Sequence, residues 1–154
     1  MKITKNIEWD MGHRVTNHES KCRNLHGHRY KVEICLEGNL IDLKNDSSEG
    51  MVIDFGHVKK IANKYIFDRL DHRFMVWKKD KLLMNFFIKH KELKHVSVPF
   101  VPTAENIAEW IFSLLDSRFK DTYHTQLKLY SITLWETPTS TAICTREDIY
   151  ERHI

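Results

Sequence analysis

Two segments near the amino end repeat with a period of two, and each ends its apolar parity on histidine. Ile3, Ile7, Trp9, Met11 and His13 share one parity, with Thr4, Asn6, Glu8 and Asp10 on the other. After a polar loop from Thr16 to Asn24, His26 and His28 lead into Tyr30, Val32, Ile34 and Leu36, while Lys31, Glu33 and Glu37 take the alternate positions. Successive side chains point to opposite faces of a strand, so each segment reads as a half-buried strand that delivers imidazole at the end of its core-facing stripe. A chain so patterned needs a sheet with one face covered.

The cover is also written in the sequence. Asp54 can cap a helix in which Phe55, Val58, Ile61, Ala62, Tyr65 and Ile66 recur at helical spacing, running to about Leu70. Pro102-Thr103-Ala104-Glu105 is a second helix start, with Thr103 as cap, Glu105 in the dipole-favoured first turn, and Ile107, Ile111, Leu114 and Leu115 as the buried stripe. Leu127 to Glu136 is rich in strand formers, and a further strand runs through Ala142, Ile143 and Cys144 after Thr137-Pro138. Residues 78–95 read as a small helix between exposed, lysine-rich loops. The order is strand, strand, helix, small elements, helix, strand, strand: an α+β arrangement with hairpins at both ends.

At 154 residues the chain is expected to form a single domain, 1–154, with a core of its own. A formal charge of +3 is too small to argue for nucleic acid, and no apolar run reaches the roughly 20 residues of a membrane span. The alternating start Met1 to Glu8 lacks the apolar block of a signal peptide, and three scattered cysteines, Cys22, Cys35 and Cys144, suggest reduced thiols, so a cytoplasmic location is expected.

For any one of these histidines, a hydrogen bond to backbone at a strand end is the ordinary reading. Together, His13, His26 and His28 on matching faces point to a metal ion. Three neutral imidazoles with a fourth position open describe a catalytic zinc site better than a structural one, although imidazole suits other transition metals too. Cys22, four residues ahead of His26, is either a thiol activated by the ion, Lys21 and Arg23, or a fourth ligand that closes a structural zinc module. Asp71-His72 offers a carboxylate beside an imidazole, but sequence neighbours seldom face each other. Glu136 continues the parity of Ile132 and Leu134, so a carboxylate stands where an apolar face ends and could accept paired N–H donors from a ligand.

Taken together, Trp9 and His13, Cys22-x-x-x-His26-Gly27-His28, Leu70-Asp71-His72, Pro102-Thr103-Ala104-Glu105-Asn106 and Trp135-Glu136-Thr137 occur in an order that resembles the pterin synthases of the tunnelling fold. That resemblance implies an antiparallel sheet with two helices packed on one face, assembling into an oligomeric barrel, a hexamer with active sites between subunits. It implies zinc on His13, His26 and His28, proton transfer by Cys22, Asp71 and His72, and a pterin-anchoring Glu136, with Glu105 and Thr137 lining the pocket. The implied substrate is 7,8-dihydroneopterin triphosphate. Three residues between Cys22 and His26 look like the carboxy-type lyase of queuosine and deazapurine biosynthesis, and a longer gap is usual in the pyruvoyl type. Met11-Gly12 ahead of His13, and Arg73-Phe74-Met75-Val76 with the lysine-rich stretch beyond, depart from the family pattern.

Overall fold

The computed structural model describes residues 1–150 of the chain. Its centre is a six-stranded sheet. The patterned amino-terminal segments form β1 (Lys2–His13) and β2 (His26–Gly38), an antiparallel pair in unbroken register from Lys2 opposite Glu37 to His13 opposite His26. On the other side of β2 lie β5 (Leu127–Thr137) and β6 (Ser140–Thr145), both antiparallel to their neighbours. The sheet then extends beyond β1 with two short strands that the sequence did not advertise. These are β3 (Arg73–Trp77), parallel to β1, and β4 (His95–Val98), parallel to β3, so the whole sheet is mixed.

One face carries the main core. Trp9, Met11, Tyr30, Val32, Ile34, Leu36, Leu129, Ile132 and Leu134 are buried there with Ile107, Ile111, Phe112, Leu115 and Phe119 of a long helix, α4 (Ala104–Tyr123). The first helical segment, α1 (Phe55–Ala62), continues through a π turn, Asn63–Phe67, into a last turn, α2 (Asp68–Leu70). Its buried residues are Val58, Ala62, Ile66 and Leu70, strictly four apart. In a regular α-helix each step of four drifts by about 40°, so three steps would carry Leu70 off the stripe. The wider π turn absorbs that drift and keeps all four on the sheet. Phe55, expected in the stripe, is half exposed instead.

Residues 78–95 do contain a short helix, α3 (Lys81–Lys89), capped by Asp80. It packs away from the main core: Met75 of β3 points into that core, whereas Val76 joins Leu83 and Phe87 in a separate cluster. Alternation along β3 therefore sets α3 on the opposite face of the sheet from α1 and α4. Among the described residues no helix is long and apolar enough to cross a membrane.

A buried carboxylate closes the far end of the core. Asp116 on α4 takes an ion pair from Arg146, a hydrogen bond from the Tyr150 hydroxyl at 2.6 Å, and Lys120 at 2.7 Å, tying down α5 (Arg146–Tyr150). Burial opposes its charge, but Lys120, Tyr150 and Arg146 overcome that and hold the carboxyl below its ordinary range. A depressed carboxyl stabilises the fold above its unfolded value, near pH 4, and the contribution disappears as pH falls through the lower folded value. Asp116→Asn should therefore lower unfolding free energy by about 2 kcal/mol at neutral pH. In urea melts the deficit should shrink toward pH 3.

Candidate active site

Pairing of β1 with β2 sets His13 opposite His26, Gly12 opposite Gly27 and Met11 opposite His28. All three histidines thus leave the same face, and their ligand atoms lie within 4.8 Å of one another. The glycines occupy the other face, where they permit close packing. A Cβ on Gly12 would stand 2.5 Å from the Phe74 ring of β3, and one on Gly27 would stand 3.0 Å from the Met11 carbonyl. The alternation His-Gly-His thus puts imidazole on one side of the strand and room for a neighbouring element on the other.

Backbone carbonyls orient two of the rings. His13 Nδ1 lies 2.7 Å from the Pro102 oxygen, at the foot of α4, and His26 Nδ1 lies 2.8 Å from the Asn24 oxygen. A carbonyl only accepts, so both Nδ1 atoms carry hydrogen and both Nε2 atoms offer a lone pair. His13 Nε2 and His28 Nε2 are buried without a hydrogen-bond partner. Burial lowers the pKa of each ring and favours the neutral form that coordinates a metal. Orphaned, neutral, convergent imidazoles fit a transition-metal ion, because without one each unpaired buried nitrogen is a cost. Cys22 does not join the three-histidine group.

Glu136 closes one side of the site. A bulge in the β5–β6 pairing falls between Trp135 and Thr137, at Glu136, and its carboxylate lies 3.4 Å from His13 Nε2. The Tyr30 hydroxyl donates to the same carboxylate at 3.5 Å. Burial, reinforced by the Glu136 charge, pushes the Tyr30 pKa up, so the phenol stays a donor. Glu136, Thr137 and Pro138 share a groove of about 530 Å³ with His28, Arg29 and Lys31.

On the other face, adjacent Asp71 and His72 do meet. His72 sits in the left-handed region at φ 54°, which turns its ring back so that Nδ1 lies 2.8 Å from the Asp71 carboxylate. The β1 backbone clamps the pair: Asp10 N–H donates to Asp71 at 3.1 Å, and His72 N–H donates to the Asp10 carbonyl at 2.8 Å. Although desolvation opposes ionisation of Asp71, the Asp10 amide and His72 hold its carboxyl low. The Asp71 hydrogen bond and charge in turn raise the His72 pKa. His72 and His28 line one cavity of about 690 Å³, floored by Gly12, Gly27, Phe74, Leu83 and Phe87.

Cys22 lies half-buried on a 3₁₀ turn, Lys21–Arg23, ahead of β2. No hydrogen bond joins it to Asp71 or His72 among the described residues. Glu105 is exposed on the first turn of α4 and lines a separate crevice with Glu109, Ala142 and Ile143, so one chain does not bring it to the histidines. Sequence reasoning missed the Pro102 carbonyl, the Tyr30–Glu136 contact and the Asp10 clamp. Tyr30 follows His28 on the same parity and could have been found; the backbone partners leave no trace in side-chain pattern.

Comparison with known proteins bears on this arrangement. The profile described as "6-pyruvoyl tetrahydropterin synthase" matches residues 2–147. A protein of Haemophilus influenzae named 6-carboxy-5,6,7,8-tetrahydropterin synthase is 40% identical over 141 residues, covering 90% of this chain and 94% of its own. Among solved structures, an uncharacterized protein from Wolinella succinogenes superposes with a TM-score of 0.79 at 31% identity, covering 96% of this chain and 98% of its own. The 6-pyruvoyl tetrahydropterin synthase of Caenorhabditis elegans gives 0.66 at 25% identity, with 94% of each chain covered.

Two measurements probe the geometry. If zinc is held by the three histidines, His13→Ala should weaken its binding by more than the ~100-fold typical of losing an outer partner, while Cys22→Ala retains one zinc per chain by competition titration. In proton NMR, the His72 ring should titrate above the ordinary value near 6.5, and Asp71→Asn should return its midpoint toward that value.

Proposed function

The chain belongs to the 6-pyruvoyl tetrahydropterin synthase family, and within it we propose the activity of a zinc-dependent 6-carboxy-5,6,7,8-tetrahydropterin synthase. In this reading it converts 7,8-dihydroneopterin triphosphate and one water to 6-carboxytetrahydropterin, releasing acetaldehyde and triphosphate. The observation that carries it is identity of 40% across nine-tenths of the chain to a relative named for that product. The three convergent histidines support it.

His13, His26 and His28 would hold zinc through Nε2. A zinc ion there supplies Lewis acidity toward the substrate's side-chain oxygens, stabilising negative charge that develops when a neighbouring C–H bond is broken. Everything else falls to the chain's own groups. Glu136 accepts two N–H bonds from the amino-pyrimidine edge of the pterin, and Tyr30 keeps that carboxylate aimed. Cys22 removes a carbon-bound proton as thiolate, and His72, held by Asp71, exchanges a proton on the opposite face of the substrate. Thr137 borders the pterin groove.

Among the described residues no hydrogen bond joins Cys22 to Asp71 or His72, which suits a homo-hexamer in which they come from different subunits. The same assembly would bring Glu105 to a neighbour's pocket. The setting is cytoplasmic, with no nucleic-acid or membrane partner, and the product would feed queuosine or deazapurine synthesis.

Incubation of the zinc-loaded protein with dihydroneopterin triphosphate tests the assignment. Stoichiometric acetaldehyde and the carboxy product are expected; a pyruvoyl product without acetaldehyde would overturn it in favour of the pyruvoyl-type lyase. Glu136→Gln should raise KM about 10- to 100-fold through loss of charge-assisted bonds. Cys22→Ala should lower kcat by ~10² or more with zinc retained. If zinc is lost instead, Cys22 is a ligand and the chain is a structural zinc module.

A further inference from the structure

Asp80 is the most thoroughly engaged carboxylate on the site side of the molecule, and nothing in the proposed reaction uses it. It sits in the segment between β3 and α3 and is 3% exposed. Arg14 meets it as a fork, Nε to Oδ2 at 2.6 Å and Nη2 to Oδ1 at 2.7 Å. Thr16 donates to Oδ2 at 3.1 Å, and the Leu83 amide donates to Oδ1 at 3.3 Å as a helix cap. Each oxygen therefore takes two donors, and three of the four come from the loop that leaves β1 directly after His13.

That loop carries Cys22, the thiol assigned above to proton transfer. From Arg14 to Leu25 it forms only turns, bends and the 3₁₀ turn of Cys22, so few backbone bonds hold it. Between the two residues gripped by Asp80 lies Val15, whose N–H donates to the Cys22 carbonyl at 2.9 Å. Asp80 thus fixes Arg14 and Thr16, these fix Val15, and Val15 fixes the turn of Cys22. Farther along, Asn24 orients His26 by its carbonyl.

We propose that Asp80 is a positioning residue, whose grip on Arg14 and Thr16 sets the Cys22 turn in place beside the three histidines. The fork is bidentate and its carboxylate is buried, the geometry in which an arginine–carboxylate pair defines orientation as well as affinity. It also gives a function to the lysine-rich stretch after Trp77: that stretch brings in, on the rigid start of a helix, the carboxylate that the Cys22 loop closes upon. The inference rests on the assignment of Cys22 to proton transfer.

Asp80→Asn keeps the shape and can still cap α3, but it replaces an acceptor oxygen with a donor against Arg14. Arg14→Lys keeps the charge and removes the fork. Asp116→Asn, in the other buried network, serves as a variant whose loss of stability is unrelated to this loop. For each, the rate of Cys22 alkylation by iodoacetamide in the folded, zinc-loaded protein is followed by peptide mapping, which separates Cys22 from Cys35 and Cys144, and kcat and KM are measured alongside. Asp80→Asn and Arg14→Lys should speed Cys22 alkylation about threefold or more as the loop opens locally. They should lower kcat about 10- to 100-fold with KM within about twofold, the pattern of a misplaced group, while zinc content stays at one per chain. Asp116→Asn should leave the alkylation rate unchanged. Wild-type alkylation rates in both loop variants would overturn the proposal, and so would altered rates with kcat intact. Failure of the wild-type chain to turn over dihydroneopterin triphosphate would instead strike the assignment of the reaction, and the alkylation rates would still decide whether Asp80 holds the loop.

Discussion

The register between β1 and β2 is the constraint on which the rest depends. His13 faces His26, and a slip of one residue would turn one strand's imidazoles to the other side of the sheet and carry Trp9 or Tyr30 out of the core with them. The core protects the register, since the residues that continue the histidine parity are among its largest fully buried side chains. Fold and site are thus specified by the same alternation: the apolar length of each strand supplies the free energy that holds a few polar residues at its end in one geometry.

That placement has a cost the structure makes visible. His13 Nε2 and His28 Nε2 are buried and unpartnered, and burial disfavours the imidazolium form of each ring. Glu136 stands close by, but at 3.4 Å it does not satisfy His13, and it also lines the neighbouring groove. Groups in this state are rare in native structures, and a bound ion is one thing that accounts for them. The contrast with Asp116 and Asp80 is instructive, because those buried carboxylates have every oxygen engaged. The buried carboxylates are saturated, whereas His13 is held from behind, through Nδ1, with its Nε2 left open in front.

How much of this could be read in the sequence follows from which interactions have a period. The long strands, the caps at Asp54 and Thr103 and the convergence of His13, His26 and His28 rest on spacing, so they were legible. β3 and β4 were not: strands of five and four residues have too few positions to show alternation, and both are set by parallel pairing to distant segments. Asp71 and His72 were expected to diverge, and only the left-handed backbone of His72 brings them together. Glu105 shows the converse, a residue placed by motif in the pocket that a single chain sets on a different surface.

The π turn links these observations. Val58, Ala62, Ile66 and Leu70 repeat every four residues, a spacing that a uniform α-helix cannot keep on one face for long. By widening one turn, the chain keeps Leu70 in the core, and the residue after it leaves the helix already against β1, where the Asp10 amide meets the Asp71 carboxylate. Had the helix stayed regular, Leu70 would have rotated off the sheet by roughly a third of a turn. Asp71 would then have faced away from Asp10, and His72 would have lost the backbone bond that sets its unusual conformation. An irregular turn that ends four residues before Asp71 therefore helps to set the Asp71-His72 pair, because it converts the packing of one helix into the position of that pair against β1.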